Sequence, residues 1–563
     1  MTDALISTLR SIAGARHVLV GDRTTRRYRK GYRYGDGEVL AVVRPGTLVE
    51  QWRALKACVE AGVAIIVQAA NTGLTGGSTP FGDGYDRPIV IINVMRIARV
   101  DPIGGGSQVI ALPGATLDRL EKTLRPLGRE PHSVIGSSCI GASVIGGVCN
   151  NSGGSLIQRG PAYTEMALYA QVDAAGELKL VNHLGVELGD EAETETMLSR
   201  LDAGQYTQAD IAPEGNRRAS DHDYHHHVRD IEAETPARFN ADPRKLFEAS
   251  GSAGKLAVFA LRLDTFPADT DTQVFYIGSN DAGELARIRR HMLSRFETLP
   301  IAGEYLHRDG YRLTQKYGKD VFLIIKLLGT DRVPAAFAAK SWMDGITEKL
   351  GLGGAISDRI VQFVTGLWPE HLPRRMNDYR ERFEHHLMIR MGGDGVAEAR
   401  AYFEEIFPSA TGEYFECTPQ EGADAFLHRF AFGGAGGRYR AVHPDAVEDI
   451  LALDVALPRN EIDWLPELPP ELDAQLAYKS VCGHFFCHVL HQDYMVIKGG
   501  DVGAIKQRLL ELLDTRGAEY PAEHNVGHLY AAKPALAEFY RELDPTNTFN
   551  PGIGKTSKKR EWA

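Results

Sequence analysis

Apolar and polar positions alternate in two rhythms along the first quarter of the chain. Val39–Val43, Ala64–Gln68, Ile89–Val94 and Gln108–Leu112 are short apolar runs and predict strands. Leu48–Ala61 and Leu117–Leu127 repeat their apolar residues at helical spacing and predict amphipathic helices. Strand and helix in turn over residues 38–130 point to an α/β or α+β domain. Residues 1–30 predict a helix that runs into a basic, aromatic stretch from Arg26 to Tyr34. Residues 186–240 are polar, with a His/Asp-rich portion from Asp221 to His227. They predict an elaborated surface loop with small helices, not a metal box. From Gln273 onward helices alternate with strands, the helices at Glu284–Phe296, Ala335–Leu350, Ala397–Phe407 and Asp501–Arg516. No repeat or low-complexity tract appears.

No run of about 18 apolar residues occurs, so no membrane-spanning helix is expected. Val134–Cys149 comes nearest, but it is too short and too rich in Gly and Ser. The N-terminus lacks a basic segment followed by a long apolar run, so no secretory signal is expected. These features predict a soluble or peripherally attached protein. At 563 residues the chain suggests three or four domains, or two large ones with insertions. The formal net charge of -11 argues against nucleic acid as the main partner. The six cysteines are sparse and form no CxxC pair, which predicts free thiols in a reducing compartment.

Two glycine-rich segments change the picture. They are Gln68–Ser78, QAANTGLTGGS, and Pro131–Gly154, PHSVIGSSCIGASVIGGVCNNSGG. Small residues let backbone N–H groups approach and surround an anion, for which a pyrophosphate is a natural occupant. Neither segment is a GxGxxG dinucleotide fingerprint or a GxxxxGK[ST] phosphate loop. Tight turns between strands are the bland alternative, weakened by the presence of two such segments.

With the third element Ser250–Leu261, SGSAGKLAVFAL, the segments resemble the FAD-binding domain of vanillyl-alcohol oxidase type flavoproteins. The resemblance implies an α+β fold with two FAD-binding subdomains, an α+β substrate cap and FAD extended between the subdomains. It assigns Ala69, Ala70, Asn71, Thr72, Gly73, Gly77 and Ser78 to the pyrophosphate. Gly136, Ser143 and Gly153 go to the rest of the cofactor, and Val258 to a main-chain contact. Relatives with covalent FAD carry the attachment His in the first loop; none stands there here, so non-covalent FAD is expected.

Near the C-terminus the chain is dense in imidazole: Gly483-His484-Phe-Phe-Cys-His488-Val-Leu-His491, then Glu523-His524-Asn-Val-Gly-His528. On a continuous strand, His484 and His488 share a face and His491 takes the other unless a turn intervenes. Each His taken singly is better read as a buried, hydrogen-bonded side chain; the cluster with a Glu-His pair is better read as a site. Related 2-hydroxy-acid dehydrogenases have a His-x6-His segment and a Glu-His-Gly stretch. The resemblance makes His484, His491 and Glu523 ligands of a divalent metal and His524 the base that takes the hydroxyl proton. The chain departs from the relatives at Phe486–Val489, where they have Gly-Asp-Gly-Asn, and at Asn525, where they have Gly. Arg429 matches an Arg that binds the substrate carboxylate, upstream of Asp454-Val-Ala-Leu-Pro458; its bland alternative is a surface ion pair. Ala452 stands where relatives often have Lys, which suggests a smaller acid with one carboxylate.

Between Glu304 and Arg390 there are 14 Lys/Arg and 11 Asp/Glu, against 63 and 74 overall. Phe363, Leu367 and Trp368 lie near Arg374 and Arg375, and the tail Lys555–Arg560 is also basic. Charge alone favours a solvated helical face. From Gly31 to the Asp544–Gly554 ending, however, the chain resembles the bacterial quinone-dependent D-lactate dehydrogenase family. Its most specific runs are Lys122–Gly160, Val228–Ala241 and Ala522–Tyr530. This implies FAD-dependent oxidation of D-lactate to pyruvate with a membrane quinone as acceptor. It also implies a helical membrane-binding region on an anionic phospholipid surface, at the cytoplasmic face of the bacterial inner membrane. The implied organisation is an FAD-binding domain over 1–265 (core 36–207, closing strand near 250–262), a cap over 266–310 and 395–520, a membrane-associating region over 311–394, and a return to the FAD domain over 521–563. The rivals are a D-2-hydroxyglutarate dehydrogenase with a soluble acceptor, an oxidase using dioxygen, and a non-catalytic flavin- or nucleotide-binding protein.

Overall fold

The computed structural model describes residues 2–132, 140–190, 193–213, 215–329 and 356–563. Gly136 and the helix expected at Ala335–Leu350 lie outside them. Three sheets organise the described chain. The first contains β1 (Val18–Leu19), β2 (Ala41–Val43), β3 (Ala64–Gln68) and β4 (Ile89–Asn93), in the order β1-β2-β4-β3. Strands β2, β3 and β4 run parallel, and the helix Leu48–Glu60 joins β2 to β3. Thr47 caps that helix by accepting the Glu50 N–H.

The second sheet contains β5 (Val100–Ile103), β6 (Gln108–Ala111), β7 (Arg129–Pro131), β8 (Ala167–Val172), β9 (Leu178–Asn182) and β10 (Ala257–Pro267). The eleven-residue β10 is its hub and pairs antiparallel with β6, β7 and β8.

The third sheet has β11 (Gln273–Ser279), β12 (Ala302–His307), β13 (His385–Met391), β14 (Gly412–Glu416), β15 (Val447–Ala456), β16 (Leu476–His484) and β17 (Val489–Ile497). Their order is β14-β11-β13-β12-β16-β17-β15. Helices cover both faces. Phe275 and Ile277 point into a core with helices Ala282–Arg295 and Gly395–Ile406, while Tyr276 points into one with Phe322, Met376 and Phe432. That alternation is the period-two geometry of a strand buried on both sides.

The α+β expectation holds, with boundaries shifted in places. Residues 1–30 form two helices, Thr2–Ala13 and Asp22–Arg29, because Gly14 and Gly21 adopt φ of 84° and 83° between them. Within the 311–394 stretch, β13 sits between β11 and β12 of the third sheet. Residues 186–240 include the helices Thr194–Ala203 and Tyr224–His227, but they are not all surface: Tyr224, Val228 and Arg238 are buried. The basic tail is partly used internally. Lys558 Nζ donates to Phe81 O and Asp83 O at 2.7 Å, and Arg560 Nη2 to Gly62 O at 2.8 Å. All five described cysteines are free thiols.

Candidate active site

Sheet register assembles the chemistry. Across β12 and β16, Glu304 pairs with His484; across β15 and β17, Asp454 pairs with His491. His484 and His488 do not share a strand. A turn at Phe485–Cys487, closed by His488 at φ 55°, folds β16 back onto β17. The turn brings the His484 and His491 rings to 5.4 Å and sends His488 into the core, where its Nδ1 lies 3.1 Å from Pro458 O.

Glu523 and His524 arrive on the C-terminal return. Asp454 Oδ2 accepts both of their backbone N–H groups, at 2.6 and 2.9 Å, and lies 3.0 Å from His524 Nδ1. Burial would lower the His524 pKa, but the Asp454 carboxylate outweighs it and the net shift is upward. The His524 side chain is 37% exposed and lines the cavity.

His484 sits between two carboxylates, with Nδ1 2.6 Å from Glu304 Oε1 and Nε2 3.1 Å from Glu523 Oε2. Burial opposes its charge, but Glu304 and Glu523 together raise its pKa to about 10. His491 is lowered to about 4, chiefly by burial. The Glu523 side chain is only 9% exposed, yet His484 and Arg238 hold its carboxyl well below the usual carboxylate range. Arg238 Nη2 donates to Glu523 Oε1 at 2.7 Å.

Arg429 projects from the helix Pro419–Val442, which Thr418 and Glu421 start with a capping box. It is not the surface ion pair of the bland reading: only 9% of it is exposed, and Nε lies 2.9 Å from Glu304 Oε2. Its Nη2 is buried and has no hydrogen-bond partner among the described residues.

Glu304, Arg429, Asp454, His484, His491, Glu523 and His524 share one cavity of about 2020 Å³ with Ala69–Thr75, Gly77, Ser78, Ser143, Gly153 and Val258. That is larger than a small acid needs and suits an extended cofactor beside a substrate. A Cβ at Gly73 would stand in open space, so a side chain there would take cavity volume. These residues therefore fit FAD. Some candidates have structural duties as well. Asn71 Oδ1 accepts from Ser78 Oγ at 3.0 Å, and Ser143 caps helix Val144–Cys149 through the Gly146 N–H. Gly77 and Gly153 are small because Asn525 and Glu523 press on them: a Cβ at either would meet those side chains at 2.3 Å.

The three metal candidates also fit their group. Donor atoms of His484, His491 and Glu523 lie within 4.8 Å of one another. Glu304 backs His484, and Asp454 lies 3.5 Å from His491 Nδ1. Carboxylates behind imidazoles are the usual second tier of a metal centre.

Comparison with known proteins now places the chain. A family model described as "D-lactate dehydrogenase, membrane binding" matches residues 274–562, and one described as "FAD binding domain" matches 39–180. The protein named quinone-dependent D-lactate dehydrogenase from Escherichia coli is 58% identical over 560 residues, 99% of this chain and 98% of its own. The chain belongs to the quinone-dependent D-lactate dehydrogenase family. Proteins of the same name from Haemophilus influenzae and Corynebacterium glutamicum are 57% and 47% identical over 561 residues, 99% of this chain and respectively 99% and 98% of their own. Among solved structures, p-cresol methylhydroxylase with substrate bound gives a TM-score of 0.58 at 12% identity, covering 99% of this chain and 97% of that one. An alkyldihydroxyacetonephosphate synthase gives 0.57 at 12% identity, covering 98% and 84%. These two are likenesses of fold.

For this family member, the site contains groups that sequence reasoning did not single out: Glu304, Arg238 and, as the partner of His524, Asp454. Arg33 also lines the cavity, and its Nη2 donates to Gly433 O at 2.7 Å. Asp454 was visible only as a landmark in the DVALP strand. Glu304 and Arg238 carry no local signal, because their partners lie 180 and 285 residues away.

Proposed function

We propose that this family member oxidises D-lactate to pyruvate, with FAD as hydride acceptor and a membrane quinone as the final electron acceptor. The carrying observation is the Asp454–His524 pair facing the same cavity as Arg429 and both glycine-rich loops. Ala69, Ala70, Asn71, Thr72, Gly73, Gly77 and Ser78, with Ser143, Gly153 and Val258, would hold the cofactor without a covalent bond. The chemistry supplied by bound FAD is acceptance of the C2 hydride.

The chain's own residues do the rest. Arg429 binds the lactate carboxylate through its guanidinium. Asp454 accepts from His524 Nδ1, which leaves Nε2 with its lone pair to take the hydroxyl proton. Glu304 fixes Arg429 and His484 together, so carboxylate recognition and the imidazole cluster share one brace. His484, His491 and Glu523 would hold a divalent ion, which would polarise the substrate hydroxyl. Ala452 lines the cavity with a methyl group where a Lys would serve a second carboxylate, which favours lactate over 2-hydroxyglutarate.

A membrane-binding family segment without a spanning helix among the described residues fits a peripheral membrane protein. The surface it meets is anionic phospholipid at the cytoplasmic face. Exposed Phe363, Leu367 and Trp368, with Arg374 close by, support that docking mode.

Anaerobic titration with D-lactate, followed at the flavin band, tests the reading. Bleaching by D-lactate and not by L-lactate or D-2-hydroxyglutarate is expected. A yellow protein that D-lactate leaves oxidised would overturn it.

A further inference from the structure

We propose that the quinone reaches the site through a cleft between one face of the helix Pro419–Val442 and the two helices Lys319–Leu328 and Ile356–Gly366. The proposal rests on the reading that a membrane quinone is the acceptor, and it names the acceptor's binding place.

Three observations carry it. The cleft is part of the cavity that holds His524 and Arg429. On the long helix, Phe426, Phe430, Gly433 and Gly437 are spaced 4, 3 and 4 apart, so they form one stripe, and all four line that cavity. Val321 and Ile324 of the first facing helix and Val361 of the second line it as well.

The middle of the stripe is open. A Cβ at Gly433 or Gly437 would meet nothing within 4 Å, and one at Gly434 would only touch Val321 Cγ2 at 3.8 Å. The wall is also held in place. Buried Arg438 reaches Asp320 Oδ2 at 2.7 Å and Asp358 Oδ1 at 2.8 Å, pinning both facing helices to the long one.

The outer surface points to an apolar visitor. Helix Ile356–Gly366 turns Val361 towards the cavity but leaves Ile360, Phe363 and Val364 exposed at 52%, 70% and 55%. Leu367 and Trp368 extend that face at 73% and 51%, and Leu327 of the neighbouring helix is 63% exposed. A single helix, about 10 Å across, thus separates the cavity from an apolar face suited to a bilayer. A quinone carries a flat polar head on a long apolar tail. The cleft gives the head a way to the cofactor while the tail stays in lipid. The balance is complete: D-lactate gives up two electrons and two protons, and the quinone takes up two of each to become a quinol.

Gly433→Leu and Gly437→Leu, singly and together in the FAD-loaded protein, test this. Leu is a better helix former than Gly, and both positions have space, so the fold should hold. Four readouts are compared: anaerobic bleaching by D-lactate, ferricyanide reduction, flotation with liposomes, and reduction of ubiquinone in those liposomes. Quinone reduction should fall about tenfold or more in the double variant while the other three stay within about twofold. Unchanged quinone reduction would overturn the cleft. So would a parallel loss of bleaching. Wild-type protein that bleaches but reduces no quinone would instead overturn the parent reading. Independently, an azidoquinone photolysed with the wild-type holoenzyme should label residues 317–328, 356–368 or 426–440, and labelling confined to other peptides would overturn the proposal.

Discussion

Asp454 holds His524 twice, through the side chain at 3.0 Å and through the His524 backbone N–H at 2.9 Å. The carboxylate fixes both the ring's tautomer and the position of the segment that carries it. Asp454→Asn should therefore lower kcat/KM for D-lactate by about 10³- to 10⁴-fold, with flavin content retained, as expected when a base loses its orienting carboxylate. His524→Gln should give a similar loss. The double variant should be little worse than either single one, because the two act as a unit. Additive losses by steady-state kinetics would mean that Asp454 works elsewhere.

Glu304 Oε2 lies 2.9 Å from Arg429 Nε, and its other oxygen lies 2.6 Å from His484 Nδ1. Arg429 therefore keeps its place without substrate. Arg429→Lys preserves the charge but loses the planar fork. Its KM for D-lactate should rise by about ten- to a hundredfold, with a smaller change in kcat. Arg429→Met leaves the Glu304 charge short of a partner and should cost about 3–5 kcal/mol of stability besides. A Lys variant with unchanged KM would remove Arg429 from substrate binding.

His484 can satisfy Glu304 and Glu523 in two ways, as an imidazolium or as a ligand of a divalent ion with His491. Metal analysis of protein purified without chelator distinguishes them. A stoichiometric ion is expected, lost together with the D-lactate half-reaction on prolonged chelation and restored by adding the ion back. His484→Ala should abolish its retention. Metal-free protein with full activity would leave His484 as the imidazolium that joins two carboxylates.

What could be read from the sequence follows the range of the interactions concerned. The strands at Ala64–Gln68 and Ile89–Asn93 and the helix Leu48–Glu60 were legible because local periodicity and a Thr cap specify them. The pairing of His484 with His491 was legible only through the family resemblance, because it depends on a left-handed His488 closing a turn between two strands. Arg238 looked like part of a surface loop, yet it is 3% exposed against Glu523. No neighbouring residue announces that burial; only the fold brings residues 238 and 523 together. Gly77 and Gly153 were read as cofactor cradles, and the structure adds a second reason for their size in the side chains of Asn525 and Glu523.

Lys255 is wholly buried, with Nζ donating to Asn547 Oδ1 at 2.6 Å and Phe549 O at 2.9 Å. Burial is the dominant cause that lowers its pKa to about 7, against a partial counterweight from Asp544. The unfolded chain therefore binds this proton more tightly than the folded one. Between about pH 7 and the ordinary lysine range, stability rises with pH through this group, and below about pH 7 that increment is lost. The full swing is on the order of a few kcal/mol. Thermal denaturation of wild type and Lys255→Met across pH 6–10 isolates it, since the other titrating groups are shared. The wild-type melting temperature should gain on the variant's as pH rises. A constant difference would mean that Lys255 stays charged in the fold.

The helix Ile356–Gly366 and the residues after it expose an apolar face at Ile360, Phe363, Val364 and Leu367, spaced as one side of a helix. Arg374 nearby has 94% of its side chain exposed. Apolar side chains can sink into the lipid interface, and each basic group near anionic headgroups adds about 1 kcal/mol. Phe363→Glu with Leu367→Glu removes two large apolar groups and adds two charges of the lipid's own sign. Flotation with anionic liposomes should fall by at least about tenfold, since each lost anchor counts for a kcal/mol or more. Ferricyanide reduction with D-lactate should be unchanged, because neither residue lines the cavity. Wild type should bind anionic vesicles more tightly than zwitterionic ones, with the difference shrinking in high salt. If the double variant floats as well as wild type, the membrane is met by another surface. If wild type binds both vesicle types alike, apolar insertion alone accounts for docking and the basic residues have another use.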